Sequence, residues 1–292
     1  RDLVEKAAED GAAREELAEY TRVDAGARRL AFGEVEPARR WVAAGFEQVV
    51  FEDTLAPILP EEAWLIDLVL DTYPATLADP AALPPGALAV KGVGRRLGAG
   101  VASYPVRRYY ALVEGPSPAL DDDWILELKQ IYDPLQVPGL EQAATRPFAD
   151  NGERILFMHR ALQSGPDVDP LFGVGRAGDD DFRVRERTKY QRGLDLARIA
   201  GRLADGRFRP ADFVDLARAA GVLLARAHAR APTRSGRPAL PAIAARLAAD
   251  PDGFIAETRA FARDYAPVVD ADRLHLAEVM AAHGPRLVYH PR

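Results

Sequence analysis

Between residues 87 and 188, three strand-like runs, a helix and two further strands follow in close order, and this succession constrains the fold more than any single motif. The strands are read at 87–96, 106–114, 124–131, 171–176 and 182–187. In the third run, alternation puts Ile125, Glu127, Lys129 and Ile131 on one face and Leu126 with Leu128 on the other. Gly115-Pro-Ser-Pro118, Asp121-Asp-Asp123 and Gly178-Asp-Asp-Asp181 supply turn chemistry between strands, with the three aspartates at 121–123 read as a solvated hairpin tip rather than a metal site. The expectation is one antiparallel five-stranded sheet in an α+β fold.

The helix between the third and fourth strands opens with Asp150-x-x-Glu153, the spacing of a capping box, and offers Ile155, Met158 and Leu162 to the sheet with His159 alongside. Upstream, a helix starting at Pro60 is expected to bury Leu65, Leu68 and Val69 and to stop at Tyr73-Pro74. Residues 2–20 read as a weakly amphipathic docking helix, and Phe46–Phe51 as a candidate strand. From Asp195 onward the pattern is helical. One helix opens near Pro210 and buries Phe213, Leu216, Ala220, Leu223, Leu224 and Ala227; another buries Phe254, Ile255, Phe261 and Tyr265; a last one buries Leu276, Val279 and Met280; and 231–241 is a loop. The proline-rich stretch Asp79–Gly86 marks a boundary, which divides the chain into a helical region 1–86 packing on the core, a sheet region 87–188 and a helical region 189–292.

Composition removes several function classes. With 38 basic against 44 acidic residues and a net charge of −6, no global basic field attracts nucleic acid. The absence of cysteine excludes disulfides, thiolate metal sites and cysteine nucleophiles. No apolar run approaches the ~20 residues of a membrane span, so a cytoplasmic protein without membrane partners is expected.

The chemistry-bearing stretch is Arg96-Leu-Gly-Ala-Gly-Val-Ala-Ser103, between the first two strands, with Lys129 on the third. Glycine lets backbone amides approach a phosphate closely, and a lysine on a neighbouring strand neutralises it as a point charge. A plain hairpin with a solvated strand lysine carries the same letters.

Those residues, with Arg108-Tyr-Tyr-Ala-Leu-Val-Glu-Gly115, Ile125-Leu-Glu-Leu-Lys-Gln130, Phe182-Arg-Val-Arg-Glu186 and Leu223-Leu-Ala-Arg-Ala-His-Ala-Arg230, resemble a bacterial family, the domain of unknown function numbered 2252. Members of that family look like circularly permuted relatives of protein kinases and aminoglycoside phosphotransferases. The resemblance implies a protein-kinase-like small lobe plus a helical lobe, with phosphoryl transfer from ATP and Mg²⁺ to an acceptor that the sequence does not name. It makes Gly98, Gly100 and Ser103 the phosphate-covering loop and Lys129 the phosphate lysine. It places Glu186 near the linker between lobes and leaves Glu153 as the nearest candidate for the acid that pairs with the lysine.

The family's Gly-Asp-x-His-x-x-Asn and Phe-Asp-x-Asn-Asp-Phe-Asp motifs are not found between Arg1 and Arg292. The resemblance therefore implies either that an upstream segment or partner chain completes the site, or that this is a non-catalytic pseudokinase or interaction scaffold. The chain alone is expected to be inactive.

Among the remaining residues, His228 and Arg230 on one helix are candidates to meet a phosphate. His159, His275 and His283 have no second ligand at metal spacing. The serines lack a Gly-x-Ser-x-Gly elbow. Arg183, Arg185 and Arg187 alternate along one strand and read as a solvated face, as does the Arg234-Ser-Gly-Arg237 loop.

Overall fold

The computed structural model describes residues 54–97, 106–119, 122–133, 148–163, 169–187, 196–232 and 237–283. The expected helix at 2–20, the Phe46–Phe51 segment and the Gly98–Ser103 turn lie outside the described residues. The strands are β1 (Thr54–Ala56), β2 (Val90–Leu97), β3 (Arg108–Val113), β4 (Trp124–Gln130), β5 (Gly173–Ala177) and β6 (Asp180–Glu186). The helices are α1 (Ala63–Thr72), α2 (Asn151–Leu162), α3 (Leu196–Ala204), α4 (Pro210–Arg230), α5 (Leu240–Ala249) and α6 (Pro251–His283).

All pairings are antiparallel, in the order β1-β2-β3-β4-β6-β5. The sheet therefore has six strands rather than the expected five. The extra one, β1, covers the outer edge of β2 with three residues just before Pro57, too few for alternation to register in sequence.

Residues directly opposite in an antiparallel ladder share a face, so the pairs Tyr109↔Leu128 and Leu128↔Val184 set one side of the sheet. Tyr109, Ala111, Val113, Leu126, Leu128, Phe182 and Val184 line that side and meet Leu65, Ile66 and Val69 of α1, with Tyr73 and Leu77 beyond it. Burial of this kind contributes about 1.5–3 kcal/mol per large apolar side chain. Leu68, expected in this core, is 41% exposed, because the face of α1 that reaches the sheet runs through Ile66 instead. Glu62 is buried among these residues. Its carboxylate accepts the Tyr109 hydroxyl at 2.9 Å and the Leu59 amide at 2.8 Å, which fixes the start of the turn leading into α1.

The approach of α1 to β5 is close enough to demand glycine. A Cβ at Gly175 would lie 2.1 Å from the Val69 carbonyl oxygen. Beside it, Thr72 and Thr76 accept the amides of Arg176 and Val174 through Oγ1, each at 2.8 Å. Each hydroxyl has one proton to give, and its nearest acceptor is a carbonyl of its own helix or turn, Leu68 at 2.9 Å for Thr72 and Tyr73 at 2.7 Å for Thr76.

On the opposite side of the sheet, α2 covers β5 and the start of β6. The Asp150 carboxylate caps the helix by accepting the Glu153 amide at 2.7 Å, and Glu153 reaches back to the Ala149 amide at 2.7 Å. Buried Asp181 of β6 accepts the Gly152 amide at 3.0 Å, a carboxylate placed at the positive end of the helix. Arg176 ties Asp150 to Asp181 at 2.7 and 2.8 Å. Contrary to expectation, Met158 is 38% exposed; the ring that packs is His159, stacked on Phe172 at 3.4 Å between centroids. Asp123 also departs from the expected solvated hairpin tip: it is 2% exposed and bonded to Lys91 at 2.6 Å.

The helical region differs more from its reading. The two helices expected after residue 250 are one, α6, which runs through Pro267, and α5 begins inside the segment read as a loop. Phe213, Leu223 and Leu224 of α4, and Phe254, Ile255, Phe261 and Tyr265 of α6, are exposed rather than buried. Helical period tells which residues share a stripe and not how deeply it is buried: Phe213 meets the ring of Phe208 edge-on at 4.9 Å and still stands 43% exposed.

Candidate functional site

The polar side of the sheet carries the chemistry. Register places Arg108 opposite Lys129, Tyr110 opposite Glu127, Lys129 opposite Arg183 and Glu127 opposite Arg185, so all six side chains project from one face. Glu127 is the centre: it is 2% exposed, and its oxygens take Arg108 at 2.9 Å, Arg183 at 2.6 Å and Arg185 at 3.3 Å. Burial alone would raise its pKa, but Arg185, Arg108 and Arg183 together outweigh that and hold it at about 2. Along the same face, Arg96 donates to the Tyr110 hydroxyl at 3.1 Å and sits over its ring.

Lys129 is half-buried beside this cluster. Burial lowers its pKa, Arg183 and Arg108 lower it further, and Glu127 opposes them. It lines a cleft of about 210 Å³ with Val106, Gln130, Ile131, Tyr132, Arg154, Ile155 and Arg183. Among the described residues, three cations and no carboxylate line this space. Val106, three positions after Ser103 in sequence, is part of the cleft wall.

The sequence-predicted residues are distributed unevenly about this cleft. Lys129 is in its wall. Gly98, Gly100 and Ser103 lie outside the described residues. Glu153 is exposed at the start of α2 with its carboxylate on the Ala149 amide, and the α2 residues that line the cleft are its neighbours Arg154 and Ile155. Glu186 pairs with Leu126, so it projects from the core side of the sheet, opposite to Lys129. There it adds to the burial that raises the Asp169 pKa to about 6. His228 is exposed on α4.

Sequence reasoning missed Glu127 as the hub and took Arg183 and Arg185 for a solvated face. Two signals were present: Glu127 shares the Lys129 face by alternation, and Arg183 and Arg185 alternate on a strand whose other side is Phe182 and Val184. A strand with an apolar side facing a core has its charged side on a sheet face, where neighbouring strands bring partners.

Mg²⁺ needs several oxygen ligands, and the cleft wall has no carboxylate to offer. Glu127 is fully engaged by arginines. Among the described residues, the acids close enough together to hold an ion are Glu114, Asp122 and Asp123, and Lys91 bonds two of them at 3.0 and 2.6 Å. The residues described do not fit the metal.

Among the described residues, no helix is long and apolar enough to cross a membrane. No curated protein and no solved structure matches the chain. The family described as an uncharacterized protein conserved in bacteria (DUF2252) matches residues 1–278, and the chain belongs to that family.

Proposed function

We propose that the chain binds the phosphates of a nucleotide such as ATP in the Lys129 cleft, on a protein-kinase-like small lobe. The observation that carries this reading is the cleft wall itself, whose charged lining among the described residues is Lys129, Arg154 and Arg183, with the one neighbouring carboxylate described, Glu127, behind Arg183 and bonded to it. The strand, strand, strand, helix, strand, strand order supports it: the glycine-bearing connection joins the first two of those strands, β2 and β3, the lysine stands on the third, β4, and α2 follows. Val106, Ile131 and Ile155 add apolar wall and Tyr132 an aromatic ring, chemistry suited to the uncharged part of a nucleotide.

Within this reading Lys129 and Arg183 neutralise phosphate oxygens, and Arg154 flanks them from α2. Arg154 is positioned by bonds to the Tyr132 carbonyl at 2.8 Å and to Asn151 at 3.0 Å. Binding without turnover is the expected behaviour of these residues alone, since phosphoryl transfer needs acids that the cleft wall does not supply. That favours the pseudokinase form of the reading, unless a further segment or partner brings the acids and the phosphate acceptor. Titration of a non-hydrolysable ATP analogue against wild type and Lys129→Ala, read by thermal shift, tests it. An identical curve for the variant removes Lys129 from the site and with it the nucleotide reading.

A further inference from the structure

Two cations elsewhere on the sheet each answer to two acids: Arg176 to Asp150 and Asp181, and Lys91 to Glu114 and Asp123. Around Glu127 the ratio is reversed. Arg108, Arg183 and Arg185, brought together from β3 and β6, share that single carboxylate, with only 13, 26 and 30% of their side chains exposed. Burying cations side by side costs desolvation and mutual repulsion. Arg183 shows that cost, since burial and then Arg185 lower its pKa although Glu127 opposes them. Asp169 is near enough to feel Arg185 and Arg183, but its own partner is the Leu171 amide. One guanidinium would satisfy the charge of Glu127, so ion pairing does not account for the other two.

The donors are only partly used. Arg108 and Arg183 each spend one Nη2 on Glu127, and Arg185 its Nε and Nη2. The Nε atoms of Arg108 and Arg183 are sealed from water without a partner, whereas the Nη1 groups of all three are not sealed. The uncovered N–H groups are therefore at the free ends of the side chains, where a ligand can reach them.

We propose that Arg108, Arg183 and Arg185 form a subsite for a single phosphate group, held as a phosphomonoester or as free orthophosphate. Three cations against one carboxylate leave two positive charges over, and Lys129 is not counted in that balance. One phosphate carries about −1.5 to −2 and offers a terminal oxygen to each guanidinium. A carboxylate ligand brings one charge on two oxygens and leaves part of the surplus standing. Glu127 already holds the three side chains by fixed bonds, which reduces the ordering cost of binding. The subsite shares Arg183 with the Lys129 cleft, whereas Arg108 and Arg185 do not line that cleft. It goes beyond the nucleotide reading and gives the chain a second ligand.

Calorimetric titration of the 292-residue chain without divalent metal, at constant pH and ionic strength, tests this with methyl phosphate, orthophosphate and acetate. Either phosphate should bind at least tenfold more tightly than acetate, and Arg108→Gln and Arg185→Gln should each weaken the phosphate about tenfold. Should Arg108→Gln melt early, Arg185→Gln carries the test, because it leaves Glu127 bonded to Arg108 and Arg183. Tighter binding of methyl phosphate supports the subsite with an esterified ligand, and tighter binding of orthophosphate supports it with the free ion. No phosphate binding, acetate binding of equal strength, unchanged binding in Arg185→Gln, or a larger loss in Lys129→Ala than in either arginine variant overturns the proposal. ATP-analogue binding that depends on Lys129 with no methyl phosphate or orthophosphate binding refutes this subsite and spares the nucleotide reading. Phosphate binding that depends on Arg185, with no binding of the analogue, does the reverse.

Discussion

The Tyr109 hydroxyl donates to Glu62 at 2.9 Å, joining the middle of the sheet to the turn before α1 across 47 positions of sequence, inside a core where neither side chain meets water. Tyr109→Phe keeps the ring and its contact with Phe182 but leaves Glu62 short of a partner. A loss of ~1–3 kcal/mol is expected, the cost of stranding a buried acceptor, measurable by urea unfolding. A change within ±0.5 kcal/mol would mean that the Leu59 amide alone satisfies Glu62.

Gly175 and Gly221 should respond in opposite directions to the same substitution. Alanine at 175 drives a Cβ into the Val69 carbonyl, a backbone atom that no rotamer change can move, and should cost about 3 kcal/mol. Gly221 lies inside α4 with nothing within 4 Å of a built Cβ, so Gly221→Ala should stabilise by ~0.5–1 kcal/mol. Thermal melts of the pair check both signs.

Two groups give the stability opposing pH slopes. Burial, then Arg183, Arg185 and Arg160, hold the stacked His159 at about 4 rather than 6.5, so its contribution is whole above pH 6.5 and is lost as pH falls toward 4. Asp169 is raised from 3.8 to about 6, so its contribution is whole below pH 3.8 and is lost as pH rises through 6. Between pH 4 and 6 the two slopes cancel in part. His159→Gln should therefore gain stability relative to its own value at pH 6 as the pH is lowered to 4, where wild type stays nearly flat. Below pH 4 both proteins should weaken, because protonating Glu127, at about 2, releases its three arginines.

Lys129→Ala should weaken ATP-analogue binding by ~1–3 kcal/mol, the usual loss of a charged hydrogen-bonding partner. Neither protein should hydrolyse ATP on its own. Robust Mg²⁺-dependent turnover by wild type would mean that acids outside the cleft wall serve.

How far the sequence could be read follows from what each pattern encodes. Alternation over Arg108–Val113 and Trp124–Gln130 names the two faces of a sheet, so the five longer strands and the side on which Lys129 stands were legible. Three residues at Thr54–Ala56 hold no alternation, and β1 was not. The apolar stripes of α4 and α6 were read correctly as stripes and wrongly as buried, because periodicity carries no information about a partner surface. Lys129 was singled out as a strand lysine following a glycine turn, and it lies in the cleft wall. Glu127 and its arginines were not, because a carboxylate becomes a hub only when three strands bring their cations to it, and sequence order does not state which strands are neighbours.

The paired threonines on α1 and the turn after it have a bearing on how the protein keeps to itself. Val174 and Arg176 are the β5 residues whose amides turn away from β6, and both amides are taken by Thr76 and Thr72. An incoming strand finds no free amide on that margin. Among the described residues the opposite margin is β1, followed by Pro57, which has no amide proton to give. A sheet whose β5 rim has its outward amides taken is a poor seed for fibrils at that rim, so self-association of this chain should favour its greasy helices over strand addition to β5.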